Sequence, residues 1–222
     1  MPEDPDEAVS FQGSTTALRG FVRRPSRGVP TAALILSHAR RQDMDDPILM
    51  GLVERASELG IWTLRYNFSF RELMAEPSVG HTDEIEDLRA AVSFAREASG
   101  IPRMFLAGKG LGAWASVAVA TDGDIAGAIL LGLSYEGQPE RRIALERLGE
   151  FEIPTLVLVG SASERTDLPA LRAVLESLPL VNLEVIEGAD HRLEDREGHP
   201  LVESILMKCE AWLRLRLEEE RA

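Results

Sequence analysis

Four stretches of the chain carry side chains, or bare backbone, placed where chemistry could happen. The sharpest is Leu106-Ala107-Gly108-Lys109-Gly110-Leu111-Gly112-Ala113-Trp114. An apolar run breaks into alternating glycines and resumes as small apolar residues, which reads as a strand, a tight turn and a helix. With serine at its centre, G-x-S-x-G, such a turn is a nucleophile elbow; here Gly110 holds the serine position. Read instead as G-x-G-x-x-A from Gly108 to Ala113, it is a loop that seats a dinucleotide pyrophosphate on a helix N-terminus. Position weighs against the nucleotide. Its fingerprint follows the first strand of a sheet, whereas several strand–helix units precede Gly108, and it wants an acid about 20 residues on. The next strand closes on Leu131-Gly132-Leu133-Ser134, with Glu136 beyond it. A glycine turn present only for packing is the third reading.

The second stretch is Glu187-Gly188-Ala189-Asp190-His191-Arg192, directly after the last strand-like run. A general-base histidine there completes the chain order nucleophile, acid, base. The third is Val159-Gly160-Ser161-Ala162-Ser163-Glu164, where a carboxylate would orient that histidine. Ser163 occupies the position, with Glu164 beside it and Asp167 further on, and a solvated acidic loop is the plainer reading. The fourth is Leu36-Ser37-His38-Ala39-Arg40-Arg41-Gln42-Asp43-Met44-Asp45. A loop at this place supplies a backbone N–H to an oxyanion hole. Its adjacent arginines suit bidentate recognition of an anion, or ion pairing with Asp43, Asp45 or Asp46. His38, Ala39, Arg40, Arg41, Lys109 and Leu111 are therefore the candidate ligand-binding residues.

The elements that position these loops follow from periodicity. Residues 1–7 are acidic and Pro-rich and read as a disordered tail; 8–222 read as one domain. Val9–Phe11 and Thr16–Val22, split by Gly13-Ser14, suggest an edge hairpin. Continuous apolar runs at Ala32–Leu36, Ile61–Tyr66, Met104–Ala107, Ile125–Leu131 and Thr155–Val159 suit strands covered on both faces, and Val181–Ile186 closes the series. Between them fall helices. One opens at Asp46-Pro47 and ends at Gly60. One is capped at Thr82 or Asp83 with a capping-box-like Asp83–Glu86 pair. Others are expected over Pro139–Leu148, Leu168–Leu178 and Pro200–Glu219, the last with a buried stripe of Leu201, Ile205, Cys209, Trp212 and Leu213. Repeated β-α-β units predict an α/β fold with a doubly wound, mostly parallel sheet, helices on both faces and no cap domain. Ligands of such sheets sit beyond the carboxyl ends of the strands.

Composition narrows the partners. The 222 residues hold 24 Lys+Arg against 37 Asp+Glu, a formal net charge of −13, which repels nucleic acid and anionic lipid. Hydrophobic residues at 45% exclude wholesale disorder. The single cysteine, Cys209, excludes an internal disulfide framework and a thiolate metal cluster. No apolar run approaches the roughly 18 residues of a membrane helix, and the acidic N-terminus is unlike a signal peptide. A cytoplasmic protein with no metal and no cofactor is expected.

At these residues the sequence resembles the α/β-hydrolase superfamily, and within it the compact, lidless, dienelactone-hydrolase-like branch. That branch reads His-Gly-Ala-Gly-Gly-Asp-Met, Arg-Phe-Asn-Phe, Gly-Lys-Ser-Met-Gly, Gly-x-x-Asp and a loop ending in His. The matching stretches are His38–Met44, Arg65-Tyr66-Asn67-Phe68, Gly108–Gly112, Gly160–Ser163 and Asp190-His191. The likeness runs from about residue 15 to the last helix. It implies that the nucleophile corresponds to Gly110, the acid to Ser163 and the base to His191, so only the base survives. Losing the serine of a triad costs on the order of 10⁶ in rate. The implied protein is a pseudoenzyme that binds a small, anionic ligand above Gly110, or a protein partner. The alternatives are a hydrolase in which His191 activates Ser37, Ser134, Ser163 or a water, a nucleotide binder through Gly108–Ala113, and a module that forms a homodimer.

Overall fold

The computed structural model describes residues 6–25, 28–121, 124–135 and 148–219. The apolar runs form strands where their periodicity places them. Two polar-edged strands, β1 (Asp6–Gln12) and β2 (Ala17–Arg23), make the expected antiparallel hairpin, closed by the Gly13 N–H on the Thr16 carbonyl. The buried strands are β3 (Ala33–Ser37), β4 (Trp62–Tyr66), β5 (Met104–Lys109), β6 (Ile125–Leu131) and β7 (Thr155–Gly160). An edge strand, β8 (Val181–Ile186), completes one eight-stranded sheet of order β1-β2-β4-β3-β5-β6-β7-β8. From β4 to β8 every pairing is parallel, while β2 joins β4 antiparallel.

Six helices connect these strands among the described residues: α1 (Pro47–Glu58), the short α2 (Ser69–Glu72), α3 (Thr82–Ser99), α4 (Leu111–Ala120), α5 (Leu168–Leu175) and α6 (Val202–Glu219). Two apolar cores lie on opposite faces of the sheet. Helices α3, α4 and α5 cover one, and α1 and α6 the other. The stripe read on the last helix is docked there: Ile205, Cys209, Trp212 and Leu213 are buried against the sheet and α1. Burial pushes the Cys209 thiol up to about 12, which keeps it unreactive. Residues 132–154, between β6 and β7, are too few for a cap domain. The fold class read from the sequence is the observed one.

Several local expectations are corrected. Strand β1 already begins at Asp6, inside the stretch read as a tail. Its buried carboxylate bonds Arg23 and Arg65, a long-range partnership that a local reading of acidic composition cannot show. The Asp83–Glu86 box does not form. His81 enters α3 in a left-handed conformation, and Glu84 reaches back to the Ser78 N–H and hydroxyl, while Glu86 pairs with Arg89. Helix α5 stops at Leu175. The helical stretch at Pro139–Leu148 lies, apart from Leu148, outside the described residues. By contrast, Asp46 caps α1 as read, accepting the Ile48 and Leu49 N–H groups.

Candidate functional site

Strand β3 turns to β4 on one side and to β5 on the other, so the sheet switches direction between β3 and β5. Loops diverge at such a switch and leave a crevice beyond the strand ends. A cleft of about 400 Å³ opens there. Its floor is Lys109, Gly110 and Leu111, at the β5–α4 turn. One wall is Ala39–Gln42, after β3. The other is Gly132 and Ser134 after β6, Arg165 after β7, and His191, Arg192 and Glu194 after β8.

The turn has elbow geometry. Gly110 sits at φ 53°, ψ −105°, where L side chains are strained. Its flanking glycines are sterically required: a Cβ on Gly108 would lie 2.2 Å from the Gly112 carbonyl oxygen, and one on Gly112 would lie 2.3 Å from that of Ser37. The Gly110 N–H bonds the Leu131 carbonyl and the Gly112 N–H bonds that of His38. These glycines approach the protein's own backbone, which removes the steric motive for the dinucleotide reading. The Leu111 N–H, the first of α4, has no partner among the described residues. A Cβ on Gly110 would come within 3.1 Å of the Ala39 methyl. A side chain at this position would therefore press on the facing loop, which would have to give by a few tenths of an ångström.

Beneath the floor, the Lys109 ammonium lies 2.8 Å from Asp46, both fully buried. Lys109 therefore serves the α1 cap and the turn, and its charge is not offered to a ligand as the sequence reading expected. His38 is likewise corrected. Its Nδ1 meets the Ala39 carbonyl at 2.8 Å and its Nε2 accepts the Phe68 N–H. Packed against Phe68 and Phe70, it is held by burial near pKa 4, hence neutral. It shapes the loop from below and does not line the cleft. Asn67 was missed as a site residue; its Oδ1 accepts the Met44 N–H and pins the same loop. Only the family-like Arg65–Phe68 stretch could have signalled it.

His191 lines the cleft, and burial lowers its pKa despite the opposing pull of Asp190. Its Nδ1 is 3.6 Å from the Asp190 carboxylate, beyond hydrogen-bond reach. Asp190 is occupied instead with the Arg192 and Glu194 N–H groups. Ser163, which the sequence resemblance sets at the acid position, donates to Thr166 and does not line the cleft. Asp167 caps α5, and Glu164 is exposed on the flank. No carboxylate orients His191 by a hydrogen bond among the described residues. Of the three serines weighed as substitutes, Ser37 is buried beneath the cleft on Tyr66, Ser163 is turned to Thr166, and Ser134 alone lines the cleft.

The arginines do reach the cleft, but not in the pairings expected. Arg40 pairs with Glu76, Asp43 with Arg71, Asp45 with Arg65 and Asp46 with Lys109. Arg41 makes no close ion pair among the described residues, but its charge adds to that of Arg40 in lowering the Glu76 pKa. No group of three or more His, Cys, Asp or Glu is gathered for a metal, and no helix is long and apolar enough to cross a membrane, again among the described residues.

Comparison with solved structures places this architecture. An α/β serine hydrolase homologue from Coxiella burnetii superposes with TM-score 0.74 at 22% identity, over 95% of this chain and 97% of that one. A lidless α/β serine hydrolase from Xanthomonas campestris gives 0.74 at 21%, over 99% and 96%. A dienelactone hydrolase from Anabaena variabilis gives 0.72 at 20%, over 93% and 95%. At these identities the likeness is one of fold. No curated protein matches the chain in sequence. Residues 30–211, however, match a family model described as an alpha/beta hydrolase domain. That span runs from the loop before β3 into α6 and includes every wall of the cleft, so the chain is a member of the α/β-hydrolase family.

Proposed function

We propose that this chain is a non-hydrolytic member of its family, a pseudoenzyme that binds a small anionic ligand in the cleft above Gly110. One observation carries the reading: at the elbow there is no side chain, and the Ala39 methyl faces the place where its Cβ would begin. An acyl-enzyme cannot form on a glycine. The unoriented His191 and the Ser163–Thr166 bond support it, because they leave neither a poised base nor an acid. What remains is a binding site: the Leu111 N–H at a helix start, guanidinium groups on both walls, and a concave shape.

The test is reaction of the purified protein with a fluorophosphonate, together with p-nitrophenyl ester turnover in wild type and His191→Ala. No adduct and equal background rates are expected. A stable adduct on any hydroxyl lining the cleft overturns the reading.

A second reading, ester hydrolysis by Ser134, is favoured by its sharing the cleft with His191 and by the hydrolases among the structural neighbours. It requires the adduct to map to Ser134 and the turnover to vanish in His191→Ala.

A further inference from the structure

The cleft is not uniformly basic; its guanidinium groups stand on two opposed walls. Arg40 and Arg41 follow β3, whereas Arg165 and Arg192 follow β7 and β8. In the sheet, β3 and β7 are separated by β5, whose end carries the floor at Gly110, and by β6, whose end carries Gly132 at the foot of the second wall. The walls stand closer together than the three strand spacings between β3 and β7, because the Ala39 methyl leans over Gly110 and the Arg165 carbonyl accepts the Tyr135 N–H just after β6. On each wall one arginine is matched. Arg40 pairs with Glu76, and Arg192 lies 3.8 Å from Glu194. The other members, Arg41 and Arg165, have no ion-pair partner among the described residues. Arg41 feels the Glu76 carboxylate only at longer range than Arg40 does, so neither Arg41 nor Arg165 is tied up in an ion pair. An exposed arginine is ordinarily content in water. Two that face one cavity from opposite sides, in a chain of net charge −13, are a different case: the concave walls focus their field on whatever lies between them.

We infer that the cleft is built for a small molecule anionic at both ends, an α,ω-dicarboxylate or an equivalent phosphate-and-carboxylate ligand, clamped across the floor between Arg41 and Arg165. This rests on the cleft being a ligand site, and it adds the ligand's charge pattern and length. Each guanidinium offers a planar fork that a carboxylate or phosphate can meet in two hydrogen bonds. A single compact anion can meet one wall or the Leu111 N–H; only an extended dianion meets both walls. Glu194, the one carboxylate lining the cleft among the described residues, opposes the anion on the Arg192 side.

Isothermal titration of the intact protein with malonate, succinate, glutarate, adipate and pimelate tests the inference, against butyrate, hexanoate and inorganic phosphate. Affinity is expected to pass through a maximum with chain length. The best dicarboxylate should bind about ten- to a hundredfold more tightly than its matched monocarboxylate, as a second charge-assisted contact gives. Arg41→Gln and Arg165→Gln, both at exposed positions and checked by unchanged melting curves, should each reduce the best dicarboxylate to monocarboxylate affinity. Glu194→Gln should tighten it. Monocarboxylates binding as well as dicarboxylates at every length would leave a ligand site and refute the two-walled clamp. So would inorganic phosphate equalling the best dicarboxylate. If a phosphorylated hydroxyacid beats every dicarboxylate yet still depends on both arginines, the clamp stands with phosphate at one end. If no anion binds, the clamp is refuted, while the non-hydrolytic reading is judged separately by the adduct and turnover assays.

Discussion

At the scale of single residues, the decisive pair is Gly110 and Ala39. Restoring the hydroxyl with Gly110→Ser puts an L side chain at φ 53° and a Cβ 3.1 Å from the Ala39 methyl. A loss of about 1–3 kcal/mol is expected for such backbone strain, measurable by urea unfolding. Adding Ala39→Gly should recover part of it, since the crowding is then relieved. Ester turnover should remain far below that of a complete triad in both variants, because no carboxylate among the described residues hydrogen-bonds His191, and removing the acid alone costs about 10⁴. His38 supports a different expectation. Folded, it takes up a proton only at about 4, against 6.5 for the free side chain. Between those values the unfolded chain binds more protons, so stability falls as pH drops through this window, by up to about 3 kcal/mol. Urea midpoints from pH 7 to 4 should show this loss, and His38→Asn should flatten that slope while lowering stability at pH 7. An unchanged slope would mean that other groups dominate the acid limb.

At the scale of elements, buried charge ties loops to strands. Asp46 both caps α1 and neutralises Lys109 on the turn after β5. Asp46→Asn keeps a capping oxygen but strands a buried ammonium. A loss of about 3–5 kcal/mol is expected, the usual cost of breaking a buried pair. Lys109→Met with Asp46→Asn should recover much of it, a double-mutant cycle readable by denaturant unfolding. The β1–β2 hairpin is held in the same manner. Burial works to raise the Asp6 pKa, but Arg23 and Arg65 outweigh it and hold the carboxyl below its ordinary value. Asp6→Ala should therefore expose β1 to fast amide hydrogen exchange while the central strands β3 and β5 stay protected. Uniform exchange across the sheet would show that the hairpin is not a separate unit. At this scale much was legible. The strand runs, the Asp46 cap and the last helix's stripe stand where periodicity put them. Asp6, Asp87 and Glu84 were not legible, because their partners lie far off in sequence or across a turn; Asp87, for example, bonds the Ser14 and Ser69 N–H groups and the Ser69 hydroxyl.

At the scale of the molecule, net charge and local field make opposite claims on an anion. On the proposed reading, the chain as a whole repels it and the arginine-lined cleft attracts it. Raising ionic strength from about 0.01 to 0.15 M shortens the Debye length from about 30 to about 8 Å. If the near field of the guanidinium groups governs binding, dicarboxylate affinity should fall severalfold over this range. If the overall charge governs it, affinity should rise instead. Titration at the two salt concentrations reads the sign directly.

The linear order of residues was enough to determine the fold class and the glycine-rich strand–turn–helix that carries Gly110. These depend on periodicity and on residue type at a fixed place in a strand–turn–helix, which are local properties. Tertiary structure alone decided what each polar group does. It committed the Lys109 charge to Asp46 beneath the floor, kept His38 out of the cleft lining and turned Ser163 to Thr166. It also brought Arg41 and Arg165, far apart in sequence, to line one cleft. The physical reason is that a charge or hydrogen bond is settled by the nearest available partner in space, and strand order is set by packing the whole chain.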